Sequence, residues 1–263
     1  MDLLSKIGSY DFLVEPFHCD FSNHIFLGHL GNHLLNAADF HSNERGYGMD
    51  YLNTVHKTWV LSRFVMELDE MPLAYDRITV DTWVENVMKF FTSRNYAIRD
   101  KSGKRYGYGR SIWAMIDTDT RQPVDILAER DGLITKYIET DEPCPIEPFN
   151  RVKLSKAAEC RRIVETRYSD VDVNGHINSV KYIEHILDLW TLDFYRTNRL
   201  QRFDIAYVAE SHCGDRLHLF VEEVADGEFC VQVMKQTPEG DAGQKADAEL
   251  KEVCRCKIKF VAK

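Results

Sequence analysis

Residues 168–190 read YSDVDVNGHINSVKYIEHILDLW and pass from a polar run into an amphipathic helix. Apolar side chains in the second half recur at helical spacing: Val180, Ile183, Ile186, Leu187 and Trp190. Asn178 or Ser179 can cap a helix that we predict to span residues 179 to about 195. Polar side chains in the first half occupy every second position: Asp170, Asp172, Asn174, His176 and Asn178. Extended backbone would place all five on one face, just before the free N–H groups of a helix N-terminus.

The side chains of this segment indicate the chemistry that it can perform. Asp172 can orient a neighbour, Asn174 can hold a water or a carbonyl through its amide, and His176 can shuttle a proton near neutral pH. Gly175 permits a tight bend between the amide and the imidazole. The helix N-terminus that follows carries partial positive charge. The segment therefore predicts a site for a reaction that develops negative charge on oxygen.

Length and composition limit the classes of protein to which the chain can belong. Its 263 residues, 44% hydrophobic and 29% charged, suit one large domain or two small ones. A net charge of -9 and a pI of about 5.6 argue against general nucleic-acid binding. No apolar run approaches the ~20 residues of a membrane-spanning helix, so we expect no membrane partner.

The cysteines and the N-terminus bear on the compartment. Seven cysteines, an odd number without framework spacing, predict free thiols in a reducing cytoplasm. Cys254 and Cys256 alternate along a predicted strand, so both should point inward. The first residues, MDLLSKIGSYDFLVEPF, lack the apolar core of a signal peptide. A bacterial cytoplasmic protein is expected, with a mature plastid form as the alternative.

Hydrophobic periodicity predicts the same order of elements twice: a strand, a polar loop, a helix and then several antiparallel strands. In the first half we predict a strand at 10–15, a helix at 27–43, and strands at 59–68, 77–85, 92–99 and 106–117. In the second half we predict strands at 160–165, 203–208, 216–224, 228–235 and 252–261, with a long loop at 237–246. Helices followed by runs of strands indicate an α+β fold with antiparallel sheets.

A proline-rich segment separates the two halves. DEPCPIEPFN, residues 141–150, holds three of the seven prolines and keeps no periodicity. We therefore predict domains at 1–140 and 152–263, joined by a linker at 141–151. Short sequence echoes support a repeat, since Val14-Glu15 precede Asp20 and His24 much as Val164-Glu165 precede Asp172 and His176. Two unrelated α+β domains are the alternative.

Several motifs identify a family. DVNGHINSVKYI, residues 172–183, resembles the D-x-N-x-H-[IV]-N-x-x-K-Y-I signature of the acyl-acyl carrier protein (acyl-ACP) thioesterases of plant plastids and bacteria. WVLSRFVMELDEMPLAYDRITVDTWVENVMKFFTSRNYAIRD, residues 59–100, resembles the family's N-terminal half, and SIWAM, residues 111–115, its S-x-W-x-M strand. The resemblance covers residues 10 to 262 and implies two tandem hotdog domains, each an antiparallel sheet wrapped around a central helix.

The resemblance also implies an activity, thioester hydrolysis that frees fatty acid from acyl-ACP. It assigns the catalytic groups Asp172, Asn174 and His176 to the C-terminal domain, together with Glu210, which matches the Glu of the family's Y-x-x-E-C stretch. We expect Glu210 to act as a general base on water. Ser211 stands where plant members carry Cys, so an acyl-enzyme is not favoured, although a part for Ser211 or Cys213 stays open.

The remaining sites are broader expectations. The N-terminal domain should set acyl-chain specificity, with substrate-binding residues at Leu27, Leu30, Leu34, Trp59 and Trp83, although ordinary core packing explains them equally well. Residues 151–202 hold ten Lys/Arg against seven Asp/Glu, which suits an acidic carrier protein. The expected carrier-docking residues are Lys153, Lys156, Arg161, Arg162, Arg196, Arg199 and Arg202, and a set of ordinary solvated faces is the alternative.

The sequence also bears on other activities of the same fold, on cofactors and on partners. An acyl-CoA thioesterase on the same fold and a non-catalytic acyl-thioester-binding hotdog protein remain open, whereas a hydratase would need D-x-N-P-x-H. We expect no cofactor and no metal, because His29 and His33 lack a third ligand at an obvious spacing. The partner should be acyl carrier protein carrying a fatty acyl thioester, and the protein a monomer or homodimer. Acyl-chain length, saturation and branching are not readable from the sequence.

Overall fold

The computed structural model describes residues 3–237 and 250–263. The chain divides into two compact units, Met1–Pro148 and Phe149–Lys263, and the division falls inside the proline-rich segment. Most of the loop expected at 237–246 lies outside the described residues. Among those that are described, no helix combines the length and the apolar character that a membrane crossing requires.

In the N-terminal unit a long helix packs on a five-stranded antiparallel sheet. Its elements are β1 (Gly8–Leu13), α1 (Leu27–Glu44), α2 (Met49–Leu52), β2 (Lys57–Leu68), β3 (Arg77–Val87), β4 (Phe91–Asp100) and β5 (Arg105–Asp117). The strands lie in the order β1-β3-β4-β5-β2, so the hairpins β3-β4-β5 form the centre. This arrangement is the hotdog fold that the resemblance implied.

Small and apolar residues allow α1 to approach its sheet. Leu27, Leu30 and Leu34 are spaced along one side of α1, and all three are buried. Gly109 of β5 lies beneath them, where an added Cβ would come within 2.8 Å of Leu34 Cδ2. Because glycine leaves that space free, the Leu34 side chain can pack against the backbone of the central strands.

The C-terminal unit repeats the plan. Its elements are β6 (Glu159–Glu165), α3 (Ser179–Leu187), α4 (Leu192–Thr197), β7 (Asn198–Tyr207), β8 (Arg216–Ala225), β9 (Glu228–Gln236) and β10 (Lys251–Ala262). The order β6-β8-β9-β10-β7 corresponds strand for strand to that of the N-terminal unit. Cys254 and Cys256 are fully buried on β10, as their alternation predicted. The predicted α+β class and the internal repeat are confirmed.

The prediction of one helix at 179–195 was wrong. α3 ends at Leu187, and a separate short helix, α4, begins after Thr191, whose hydroxyl accepts the amide of Phe194. The Tyr195 hydroxyl donates to the carbonyl of Leu187 at 2.7 Å, which satisfies one of the free carbonyls at the end of α3. Apolar residues at helical spacing continued past the break, so periodicity alone concealed it.

Two further differences concern the segments around the sheets. β7 begins at Asn198, five residues before the predicted strand, because its first half pairs with the end of β10. Residues 126–137 form short 3₁₀ turns that the sequence did not predict. Asp125 caps the first of these turns by accepting the amide of Leu127. Ile126, Ile134 and Tyr137 of this segment are buried in the core of the N-terminal unit.

Candidate active site

The DVNGH run forms a tight hairpin. Val171 and Ile177 pair as an antiparallel bridge, and the Asp172 amide donates to the His176 carbonyl at 2.8 Å. Asp172 Oδ1 accepts the amides of Asn174 at 2.8 Å and His176 at 3.2 Å. Gly175 has φ +81, a left-handed conformation that glycine adopts without steric cost. The Asp172 carboxylate therefore organises the backbone that carries the imidazole.

The expectation of five polar side chains on one extended face was wrong, because the chain turns inside this run. Asp170 is buried, and its carboxylate binds the Arg167 amide and His185 Nε2, the latter at 3.1 Å. Asn178 accepts the amide of Val180 and caps α3, as predicted. Asn174 is exposed at the tip of the hairpin, and among the described residues its side-chain amide makes no hydrogen bond.

A second segment, residues 210–215, lies against the hairpin. The Ile177 amide donates to the Ser211 carbonyl at 2.9 Å, which ties the two segments together next to the site. The Asp215 carboxylate accepts the His212 amide at 2.9 Å and is 3% exposed. The Thr166 hydroxyl donates to the His212 carbonyl at 2.7 Å. These bonds fix the backbone from Glu210 to Asp215 although it belongs to no strand.

The contact between the two segments brings together an imidazole and a carboxylate. His176 Nε2 lies 3.4 Å from Glu210 Oε2, and their side chains are 25% and 39% exposed. Both groups are therefore held in place and still accessible to a substrate. His212, two residues after Glu210, points to the same side, and its ring centroid lies 5.2 Å from that of His176 at an interplanar angle of 76°. The sequence predicted His176 and Glu210 but not His212.

The hydroxyl and thiol groups nearby have different environments. Ser211 is fully buried beside Tyr182, so its hydroxyl is not exposed to a substrate. Cys213 is exposed in a turn that the hydrogen bond from the Asp215 amide to the His212 carbonyl closes. Burial raises the pKa of the Cys254 and Cys256 thiols, which keeps both protonated and unreactive. Within the described ranges, no three His, Cys, Asp or Glu side chains converge as metal ligands.

The N-terminal unit contains the same scaffold without the same chemistry. Asp20 Oδ1 accepts the amides of Ser22 at 2.8 Å and His24 at 3.2 Å, just as Asp172 does in its own hairpin. The Ile25 amide donates to the Pro72 carbonyl at 3.0 Å, which corresponds to the bond from Ile177 to Ser211. Met71 therefore stands at the position of Glu210. The N-terminal loop has an imidazole but lacks the carboxylate.

The five expected substrate-binding residues separate into three groups. Leu27, Leu30 and Leu34 form the buried face of α1. Trp59 is half-buried at a small pocket of the N-terminal unit and donates its indole N–H to the Tyr47 carbonyl at 3.1 Å. The same pocket is lined by residues that the sequence did not single out, among them Tyr47, Tyr51, Leu52 and Met115.

Trp83 differs from the other four expected substrate-binding residues in the environment of its side chain. It is fully buried on β3, next in sequence to Val84, which packs in the core beside Leu52 and Met115. Because successive strand residues point to opposite faces, Trp83 faces away from that core. The part of Trp83 in substrate binding stays a prediction, with its side chain on the opposite face of β3 from that of Val84. The alternation of β3 was readable from the sequence, but both faces are buried, so the pattern did not show which face α1 covers.

The basic residues expected to dock a carrier differ in exposure. Lys153, Lys156, Arg161, Arg162 and Arg196 are exposed, and Arg199 is half-buried. Arg162 binds the carbonyl and carboxylate of Asp188 at the end of α3, where a cation is favourable. Arg202 is buried and pairs with Asp204 at 3.3 Å, so it is not one of the exposed residues that a carrier protein could contact.

Comparisons with known proteins cover both units. The family model described as the acyl-ACP thioesterase N-terminal domain matches residues 8–133, and that of the C-terminal domain matches residues 154–256. A crystal structure of an acyl-ACP thioesterase from Bacteroides thetaiotaomicron has a TM-score of 0.87 and 48% sequence identity, over 97% of this chain and 98% of that one. The 12:0-ACP thioesterase from Umbellularia californica, at 18% identity and TM-score 0.80, shares the fold over 100% of both chains.

Curated plant proteins match over a shorter stretch. The chloroplastic palmitoyl-acyl carrier protein thioesterase of Arabidopsis thaliana is 31% identical over 160 residues, which are 59% of this chain and 38% of that protein. The chloroplastic oleoyl-acyl carrier protein thioesterase 1 of the same plant is 26% identical over 206 residues, 71% of this chain and 55% of that protein. The matches thus span between about two fifths and just over half of these relatives' own length.

Proposed function

This chain belongs to the acyl-ACP thioesterase family, and on that premise we propose that it hydrolyses fatty acyl-ACP to free fatty acid and carrier protein. The observation that carries the proposal is the contact of His176 with Glu210, an accessible imidazole and carboxylate held by two separately fixed segments. A carboxylate beside an imidazole can remove a proton from water. The N-terminal loop, with Met71 at the corresponding place, lacks this pair.

The proposed mechanism assigns one task to each group. The Glu210 carboxylate accepts a proton from water as the water oxygen attacks the thioester carbonyl carbon. His176, held beside Glu210, orients that water or donates to the carbonyl oxygen. Asn174, exposed at the hairpin tip, holds the thioester carbonyl through its side-chain amide. Asp172 acts through the backbone, because its Oδ1 accepts the amides of Asn174 and His176.

Direct attack by water is favoured over a covalent acyl-enzyme. Ser211, which replaces the family's cysteine, has a fully buried hydroxyl, and its carbonyl is bound by Ile177. A nucleophile must reach the carbonyl carbon at about 3 Å, which a buried hydroxyl on the far side of the segment cannot do without rearrangement. Glu210 therefore acts on water.

The two units are proposed to divide the work. The C-terminal unit performs the chemistry, and the N-terminal unit sets acyl-chain preference through the α1 face and the pocket beside Trp59. The exposed basic residues between 153 and 199 are proposed to bind the acidic carrier protein. The compartment is then one that holds acyl carrier protein: a bacterial cytoplasm, or a plastid as for the chloroplastic relatives.

The proposal is tested by thiol release from a panel of acyl-ACPs and the matching acyl-CoAs. Wild type should turn over carrier-bound chains well above CoA thioesters, and Glu210→Ala and His176→Ala should each lose at least about 100-fold in kcat. Glu165→Ala, which removes an exposed carboxylate at the end of β6, is the matched control and should keep wild-type turnover.

Other outcomes would change the proposal. Faster turnover of CoA thioesters would make the protein an acyl-CoA thioesterase. Tight binding of acyl-ACP without turnover would make it a non-catalytic binding protein. Charge reversal at Lys156 and Arg161 tests the contribution of the carrier protein to binding separately from that of the acyl chain. It should raise KM for acyl-ACP and leave KM for a short pantetheine thioester unchanged.

A further inference from the structure

His212 lies beside the proposed catalytic pair without a part in the mechanism above. Its backbone is fixed on both sides, because its amide donates to Asp215 Oδ2 at 2.9 Å and its carbonyl accepts the Thr166 hydroxyl at 2.7 Å. Ser211, between Glu210 and His212, is fully buried. The side chains on either side of Ser211 both lie beside His176: Glu210 Oε2 is 3.4 Å from His176 Nε2, and the ring centroids of His212 and His176 are 5.2 Å apart.

The N-terminal unit shows that this turn does not need a histidine. There the amide of Leu73 donates to Asp76 Oδ2 at 2.9 Å, the same bond at the same distance as between His212 and Asp215. Leu73 forms a bridge with His24, so it stands against the N-terminal imidazole as His212 stands against His176. The scaffold thus forms equally well around leucine. The C-terminal unit therefore has both the Glu210 carboxylate and the His212 imidazole, whereas the N-terminal unit has Met71 and Leu73 at the corresponding positions.

We propose that His212 is a second catalytic imidazole that protonates the sulfur leaving group. This inference rests on the proposed thioester hydrolysis. A thioester needs a base for the attacking water and a proton for the departing thiolate, and one group cannot serve both at once. Glu210 is placed for the first task. His212 is exposed, lies on the same side of the segment as Glu210, and can hold its proton toward a substrate bound beside His176.

The water oxygen forms a bond to the carbonyl carbon and gives one proton to the Glu210 carboxylate. The resulting tetrahedral intermediate collapses, the bond from carbon to sulfur breaks with its electron pair going to sulfur, and the His212 imidazolium gives its proton to that sulfur. The products are the fatty acid and the free pantetheine thiol. The proton on Glu210 then returns to His212 through His176 or solvent, which restores the starting state.

The experiment compares two leaving groups. Wild type, His212→Leu and His212→Gln are assayed with the acyl-ACP that wild type turns over best and with the thiophenyl thioester of the same acid. An aromatic thiolate is a much weaker base than an alkyl thiolate and leaves without a proton. Leucine is the residue that the N-terminal scaffold already accepts, so the fold is kept. His218→Gln, on β8 and bound to Gln236, is the control.

Both His212 variants should lose about 100-fold in kcat on acyl-ACP and no more than about twofold on the thiophenyl ester. His218→Gln should match wild type on both substrates. An equal loss on both substrates would overturn the assignment, because His212 would then act on water attack or on structure. Full activity of His212→Leu on acyl-ACP would also overturn it. If wild type hydrolysed neither substrate, the proposed function itself would fail, a result distinct from either.

Discussion

Lys235 Nζ donates a hydrogen bond of 2.7 Å to the backbone carbonyl of Glu210. The same ammonium lies 3.6 Å from Asp215 Oδ2, and the two side chains are 14% and 3% exposed. A single cation on β9 thus supports both ends of the segment that carries Glu210 and His212. In the N-terminal unit Asp76 receives a neutral partner, the Tyr106 hydroxyl, at 3.0 Å. The charged partner is thus found at Asp215, whose segment carries the proposed catalytic groups, and the neutral partner at Asp76.

Lys235→Met should reduce both stability and turnover. Removal of one member of a largely buried ion pair leaves the Asp215 carboxylate without its cation, at a cost of about 3 kcal/mol. Because the Glu210 carbonyl also loses its donor, kcat on acyl-ACP should fall at least about tenfold with little change in KM. Lys235→Arg should restore part of the loss. Thermal unfolding and steady-state kinetics measure the two effects.

Lys251→Met is the matched control, since Lys251 is exposed on the neighbouring strand β10. It should leave both quantities at wild-type values. If Lys235→Met lowered the melting temperature and kept wild-type kcat, the pair would support the fold alone.

Asp172→Ala and Asp20→Ala should have equal structural and unequal catalytic effects. Each carboxylate accepts two backbone amides in an equivalent hairpin, so each variant should lose about 2 kcal/mol of stability. Only Asp172→Ala displaces His176, and its kcat should fall about 100-fold. Asp20→Ala should keep wild-type kcat at a temperature well below its melting point. A matching loss of kcat in both variants would place part of the chemistry in the N-terminal loop.

The sequence predicted the repeated plan because each half carries a complete set of local signals. Apolar residues at helical spacing located α1 and α3, and alternating residues located most strands. The signature predicted His176 as a site residue, and the match of residues 207–211 to the family's Y-x-x-E-C stretch predicted Glu210. What the sequence could not show is how the two segments meet. Whether Asp172 faces a substrate or binds backbone amides depends on the turn at Gly175, and a polar residue every second position suits either arrangement.

His212 and Lys235 escaped prediction for a related reason. Their roles depend on contacts between residues that are distant in sequence: His212 with His176, and Lys235 with Glu210. An alternating strand pattern places Lys235 on a face of β9 but does not tell which loop lies over it. The internal repeat is the one signal in the sequence that could have shown His212. When the halves are aligned on their shared Asp-Arg pairs, Asp76-Arg77 and Asp215-Arg216, His212 falls opposite Leu73.

Trp59→Leu should alter acyl-chain preference, whereas Trp83→Phe should not. Trp59 lines the pocket of the N-terminal unit with Tyr47 and Met115, and a smaller side chain enlarges it. Preference should therefore move to acyl chains longer by about two carbons, each buried CH₂ being worth about 0.8 kcal/mol. Trp83 faces away from that core, and among the described residues its indole N–H has no hydrogen-bond partner, so phenylalanine removes an unsatisfied donor at little cost.

A chain-length profile over a panel of acyl-ACPs measures this effect for both variants. An unchanged profile in Trp59→Leu would remove the pocket from the substrate site. A changed profile in Trp83→Phe would place part of the acyl chain on the other face of the sheet.

The N-terminal unit should lose stability in mild acid because of His41. Burial, reinforced by the charges of Arg94 and Arg45, lowers the pKa of His41 to about 2. The folded imidazole is therefore neutral, which agrees with its two bonds, to the Tyr47 hydroxyl at 3.0 Å and to the Lys6 carbonyl at 3.0 Å. Unfolded, it binds a proton below about pH 6.5, the usual value for histidine.

A folded pKa below the unfolded one means that the unfolded state binds the extra proton, so stability is complete above about pH 6.5 and falls as the pH decreases towards 2. The slope approaches about 1.4 kcal/mol per pH unit, which predicts a loss of about 2 kcal/mol between pH 6 and pH 4.5. His41→Gln should be less stable than wild type at pH 7.5 and should show a flatter dependence on pH. His56→Gln removes a histidine whose side chain is 71% exposed, and should follow the wild-type curve. Urea midpoints at pH 7.5, 6 and 4.5 measure all three proteins, and a wild-type slope in His41→Gln would show that other groups cause the acid sensitivity.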